Sequence, residues 1–136
     1  MLERTGLDVI DEDECWALAA TQSVGRLAIS IKNRPDIFPV NYRVVERSLL
    51  LRTAPGVKLA AATLGSGIAF EIDQLDEATH KGWSVVMHGT AQELQSLDDL
   101  MEAETAAVET WASSQKDRFV RIEVDEISGR RVPDAT

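Results

Sequence analysis

Residues 49–61 read LLLRTAPGVKLAA, and the character of the chain changes halfway along them. Leu49, Leu50 and Leu51 suit a buried strand, which then runs into Arg52 and Thr53. Pro55 and Gly56 follow, then Lys58 and an apolar, alanine-rich segment that predicts a helix over 56–64. A strand that ends in a guanidinium and a hydroxyl, next to free helix amides and an ammonium, gathers donors and positive charge in one place. That arrangement fits an anion, and Gly56 lets backbone approach it closely. The plainer alternative is a surface arginine at a strand end and a solvated lysine on an exposed helix face.

Working outward, 24–31 (VGRLAISI) alternates and is rich in branched residues, so it predicts a strand. NRPD (33–36) has the composition of a turn, and 37–46 (IFPVNYRVVE) predicts the returning strand. Val40, Tyr42 and Val44 then share one face, and Asn41, Arg43 and Val45 the other. After a short ERS turn, 49–53 makes a third strand. The connections are too short for crossover helices, so the three form an antiparallel meander.

Strand character resumes at 68–73 (IAFEID). QLDEATHKG is expected to be a loop leading to a long strand at 83–94 (WSVVMHGTAQEL). Trp83, Val85, Met87 and Gly89 would share one face of that strand. Gly89 in mid-strand signals a bulge or a close backbone approach. Residues 96–114 predict a helix with an apolar stripe through Leu97, Leu100, Met101, Val108 and Trp111. The last strand, 118–129, places Val120, Ile122 and Val124 inward.

Near the start, acidic residues open a helix over 11–22, with Asp11 and Glu14 spaced as a capping box. Its periodicity puts Cys15, the only cysteine, in the core. About six strands and three helices make a mainly β (α+β) single domain over 1–136: a small antiparallel barrel with flanking helices.

Composition narrows the function. Fourteen Lys+Arg against 23 Asp+Glu leave a net charge of −9, and the cations are scattered. Nucleic acid and anionic membrane surfaces are therefore poor partners. A single cysteine cannot form an intrachain disulfide, and the start lacks the order of a signal peptide, so a cytoplasmic location is expected. His80 and His88 fit no metal-ligand spacing and are expected to be structural or surface residues.

Taken in order, VGRLAI (24–29), PVNY (39–42), LLLRTAPGVKL (49–59), FEID (70–73), GWSVVMHGTA (82–91) and ISGRRV (127–132) carry a family resemblance. The chain resembles the pyridoxamine 5'-phosphate oxidase-like FMN-binding split-barrel proteins, in the branch related to nitroimidazole resistance. The resemblance implies a six-stranded antiparallel split β-barrel that pairs into a homodimer with flavin at the subunit interface. It further implies that Arg52, Thr53 and Lys58 bind the FMN phosphate and that Asn41 reaches the ring. Trp83 and Ser84 would close the ring pocket, one by stacking and the other by hydrogen bonding. For Asn41 the alternative is a strand-edge hydrogen bond, and for Trp83 a place in the core or in a dimer contact. Tyr42 is expected in the core.

One departure bears on activity. Some nitroimidazole-resistance relatives carry a histidine where this chain has Arg52, so nitroimidazole reduction by that route is not expected. The implied activity is a flavin-dependent oxidoreductase that passes hydride or electrons to a small organic acceptor. Two alternatives stand beside it. A deazaflavin-dependent reductase would use coenzyme F420, for which Arg34, Arg43 and Arg47 would have to supply a basic groove. A non-catalytic protein would carry flavin, haem or lipid without turnover. No second cationic cluster is evident for a vitamin B6 phosphate, and no side chain stands out as a catalytic acid or base.

Overall fold

The computed structural model describes residues 6–53, 67–94 and 118–133. Both the predicted helix at 56–64 and that at 96–114 lie outside these residues. Among the described residues, seven strands and one helix follow in order: β1 (Asp8–Ile10), α1 (Glu12–Ala19), β2 (Val24–Ile31), β3 (Arg34–Val45), β4 (Ser48–Thr53), β5 (Gly67–Asp76), β6 (Lys81–Glu93) and β7 (Arg118–Arg131). All pairings are antiparallel, in the order β1-β7-β4-β3-β2-β5-β6, and a further β6–β7 ladder closes the sheet on itself. The result is a six-stranded barrel with β1 as an appendage, in keeping with the expected split barrel.

The expected alternation sets the inside of the barrel. Leu27, Val40, Leu51, Phe70, Val85 and Ile122 belong to one buried cluster that fills the interior. Tyr42 lies among them, its ring edge-on to Phe70 at 5.3 Å between centroids, and its hydroxyl donates to the Ala19 carbonyl. A smaller cluster of Leu50, Leu94 and Phe119 packs with Val45 on the other face of the wall.

Helix α1 caps one side. The Asp11 side chain accepts from the Glu14 amide at 2.8 Å, as the capping-box spacing predicts. Cys15 is fully buried, its Sγ donating to the Ile10 carbonyl at 3.6 Å. Burial, followed by the nearby carboxylates Asp11, Glu14 and Glu12, pushes its thiol pKa up. It is therefore an inert packing group rather than a nucleophile.

Several boundaries differ from expectation for identifiable reasons. β1 is a seventh strand, and three residues are too few to display alternation. The turn expected over 33–36 is made by Lys32 and Asn33, with φ of 50° and 63°. Ile31 pairs with Arg34 across this two-residue connection, so Pro35 and Asp36 already belong to β3. Pro35 is tolerated because β4 pairs with β3 only from Asn41 to Val45. The next turn is Glu46–Arg47, with φ of 48° and 59°, and Ser48 opens β4. Most of the expected QLDEATHKG loop is strand: β5 extends through Asp76 and β6 begins at Lys81. Asp76 Oδ1 accepts from the amides of Ala78 and Thr79 to tie the remaining turn.

Gly89 does what a mid-strand glycine suggested. The β6–β7 register shifts there, from His88 opposite Glu126 to Gly89 opposite Val124, leaving Asp125 as the extra residue. A Cβ on Gly89 would sit 2.0 Å from the Glu123 carbonyl oxygen. Gly89→Ala is therefore expected to cost about 1–3 kcal/mol, as overpacking does, and to lower the urea midpoint of unfolding. An unchanged midpoint would mean that the closing ladder is not held as tightly as this.

Candidate functional site

Strand parity sorts the candidate residues before any ligand is considered. On β3, Val40 and Tyr42 point in, so Asn41 points out; on β4, Leu49 and Leu51 point in, so Arg52 points out. The ladder register sets Asn41 opposite Arg52, and Arg52 opposite Phe119 of β7. The structure thus brings Asn41 and Arg52 together as cross-strand neighbours on the outer wall. The Arg52 guanidinium lies over the Phe119 ring, 5.6 Å from its centroid, within cation–π range. Asn41 donates from Nδ2 to the Ser23 carbonyl at 3.5 Å. Thr53 is the last residue of β4, paired with Arg118. Lys58 lies outside the described residues.

Trp83 and Ser84 are consecutive on β6 and therefore face opposite ways. Trp83 is only 8% exposed and belongs to the interior cluster. Its remaining edge lines an open groove of about 920 Å³ beside the β5–β6 hairpin, with Lys81, Gly82, Asp76 and Arg131. Ser84 lies on the outer wall, opposite Asp73 of β5 and Arg130 of β7. On one strand the two cannot close a pocket from the same side. Ser84 and Arg52 are four strand steps apart by way of β3, β2 and β5, roughly 19 Å along the wall; by the shorter way through β7, Ser84 stands opposite Arg130 and Arg52 opposite Phe119, eleven residues apart on that strand.

β2 and β5 carry a cluster that sequence reading missed. Arg26 of β2 pairs in register with Glu71 of β5, and its Nη1 lies 3.8 Å from Glu71 Oε1 and 3.7 Å from Asp73 Oδ1. Burial, a hydrogen bond to Asp73 and the charge of Asp73 together push the Glu71 carboxyl up to about 7, against the pull of Arg26. The alternation of FEID does put Glu71 and Asp73 on one face. What one strand cannot show is that Arg26, 45 positions earlier, stands opposite.

Among the described residues, Arg34, Arg43 and Arg47 do not gather into one groove, while Arg43 and Arg121 both stand opposite Leu50. Arg47 binds Glu12 and Asp13 of α1. Arg34 is at the tip of the β2–β3 hairpin, roughly 30 Å along the strand from Arg43. Arg131 is ion-paired with Glu14 at 2.5 Å. His88 Nδ1 lies 4.0 Å from Glu126 on the surface. Among the described residues, no group of His, Cys, Asp and Glu is arranged to hold a metal ion, and no helix is long and apolar enough to cross a membrane.

The filled interior and the polar groups on the outer wall belong to a closed antiparallel barrel of the split-barrel type. Residues 11–131 match the pyridoxamine 5'-phosphate oxidase family, and the chain belongs to that family. A Corynebacterium glutamicum protein named for the same oxidase superposes with a TM-score of 0.82 at 34% identity, over 92% of this chain and 97% of that one. An FAD-binding protein from Mycobacterium smegmatis does so at 0.81 and 35% identity, over 91% and 97%. The uncharacterized protein Rv0080 of Mycobacterium tuberculosis is 30% identical over 90% of this chain and 84% of its own length. Flavin-binding proteins are thus among the chain's structural relatives.

The raised Glu71 carboxyl makes stability depend on pH. Its ordinary value is 4.5, and the fold holds it near 7. A carboxyl raised by folding stabilises the native state fully below the unfolded value and loses that contribution as pH rises through the folded value. Between about pH 5 and 8 the melting temperature of the wild type should fall relative to that of Glu71→Gln, which cannot ionise. Parallel curves would show that Glu71 titrates as an ordinary surface carboxyl.

Proposed function

We propose that this chain binds a flavin on the outer wall of the barrel and acts as a flavin-dependent oxidoreductase. The observation that carries the proposal is the pairing of Asn41 with Arg52 at the end of β4, where the chain leads toward Lys58. A flavin mononucleotide moiety needs an anion site at one end and hydrogen-bond donors along a heteroaromatic edge at the other. Arg52 offers a planar fork of N–H donors, and Thr53 a hydroxyl, for the phosphate; Asn41 offers an amide that can both donate and accept. Phosphate carries roughly −1.5 to −2 charges near neutrality, so a second cation from Lys58 suits it. These donors fit the group.

Ser84 stands too far round the wall to reach the same ligand from one chain. A second copy in a homodimer would bring its outward-facing Ser84 against the Asn41–Arg52 site. The FMN moiety is common to FMN and FAD, so the same residues serve either cofactor; the FAD-binding relative from M. smegmatis supports keeping both. When bound, the flavin supplies the hydride chemistry. The protein holds the phosphate, orients the ring and excludes water from one face of it.

The test is a visible spectrum of the purified protein before and after flavin addition and desalting, with the released cofactor identified by chromatography. A retained flavin that can be reduced and then reoxidised by a small organic acceptor supports the proposal. Arg52→Ala combined with Lys58→Ala should weaken flavin binding at least tenfold, since charge-assisted bonds contribute about 1.5–3 kcal/mol each. Unchanged affinity would overturn the phosphate assignment. A colourless protein that takes up F420 instead would point to the deazaflavin enzyme. Flavin held without turnover would point to a carrier.

A further inference from the structure

The Arg26–Glu71–Asp73 cluster is unused by the binding assignment, although it stands in the same belt of the outer wall. Val24 is opposite Asn41 on one side of β2, and Asp73 is opposite Ser84 on β6. Arg26, two residues from Val24 on the same face of β2, is a diagonal cross-strand neighbour of Asn41, so the cluster adjoins the Asn41–Arg52 site on the outer wall. Its composition is unusual for a surface ion pair. Two carboxyls share one guanidinium, and their side chains are only 32% and 21% exposed.

We propose that Glu71 and Asp73, clamped by Arg26, hold a single proton between them and deliver it to a ligand bound at the flavin site; this rests on the function proposed above. The chemistry follows from charge balance. With one proton, the pair carries one negative charge, which Arg26 neutralises. Without it, two carboxylates face one guanidinium, and the two like charges oppose each other. Burial and the Asp73 contact therefore keep the proton on Glu71 up to near neutral pH. Delivery breaks the Glu71 Oε–H bond and forms a bond from hydrogen to a basic oxygen or nitrogen of the ligand, with no change in oxidation state. Solvent then returns the proton, because both side chains remain partly exposed. A group poised near the working pH is what general acid catalysis requires.

Among the described residues, the charged and titratable groups around the pair are Arg26, His88 and, beyond Ser84, Arg130 of β7. Arg26 faces the pair from β2, and β6 opposes Glu71 with Val86 and Asp73 with Ser84. His88 is the titratable side chain of β6 on the same face, two residues beyond Val86, and it is directed toward Glu126. The proton is thus assigned to the carboxyl pair and not to the histidine.

The experiment uses flavin-loaded protein. The visible spectrum of the bound flavin is recorded from pH 5 to 9 in wild type, Glu71→Gln and Asp73→Asn. A one-proton spectral transition near pH 7 is expected in wild type, absent in Glu71→Gln and moved to lower pH in Asp73→Asn. A transition that is the same in all three, or missing from wild type, overturns the proposal. Carboxyl carbon-13 NMR of the flavin-free protein separates the two failures. If wild type retains no flavin, the proposed function fails and delivery to it fails as well. The NMR titration then reads the pair alone: Glu71 titrating near 7 upholds the shared proton, and Glu71 titrating with ordinary carboxyls rejects it.

Discussion

The barrel depends on β7 reaching past its first partner. Its fourteen residues pair with β4 at one end, with β1 at the other, and with β6 along most of their length. Without the β6–β7 ladder the sheet would be open, with two long exposed edges. The ladder can only close through a bulge. Before it, Val120, Ile122 and Val124 face in; after it, Ile127 and Gly129 do, so the inward positions change from even to odd. A continuous register would turn Ser128 and Arg130 into the core instead. Gly89 permits this because the Glu123 carbonyl occupies the space where its Cβ would be.

That change of parity also seats the helix. Gly129 faces in against Cys15, and a Cβ there would meet its Sγ at 2.6 Å. α1 can therefore lie close on β7, with Arg131 binding Glu14 and Arg47 reaching Glu12 and Asp13 from the β3–β4 turn. The acids at the head of α1 thus serve three purposes: they cap the helix, complement its dipole and anchor two arginines. None of this requires the thiol to react, and burial keeps it neutral.

Much of this was legible in the sequence because a half-buried strand must alternate. VGRLAISI, the Val40–Tyr42–Val44 face and the Trp83–Gly89 face are all inward, or inward at their cores, as that rule requires. The Asp11 cap and the Gly89 irregularity were legible for equally local reasons. What failed was local too. The polar ends of β5 and β6 run beyond the barrel mouth, where both faces meet water and composition resembles a loop. Leu75, 67% exposed, is the apolar residue stranded there. For the site, parity could place Asn41 and Arg52 on the outer wall, but not side by side. Their pairing follows from a two-residue turn at Glu46–Arg47; one more residue in the turn would set Asn41 against Thr53. The Arg26 cluster was further out of reach, because it joins strands from distant parts of the chain.

The same alternation divides chemistry from packing. Tyr42 satisfies its hydroxyl on Ala19 and packs on Phe70, and burial holds its phenol well above the usual range. It is unsuited to giving up a proton, whereas its neighbour Asn41 keeps its amide on the outer wall. With Phe70, Met87 and Tyr42 filling the interior, a barrel this small has no room for a ligand the size of a flavin. Any ligand chemistry must therefore be carried by the outward residues, where each strand contributes every second position. Asn41, Arg52, Asp73 and Ser84 occupy such positions on four different strands, and Arg26 and Glu71 complete the charge balance between them. A belt of that kind has solvent on one side unless another surface covers it. The partly buried Glu71 carboxyl, raised toward neutrality even on an uncovered wall, would bind its proton more firmly once that face was dry.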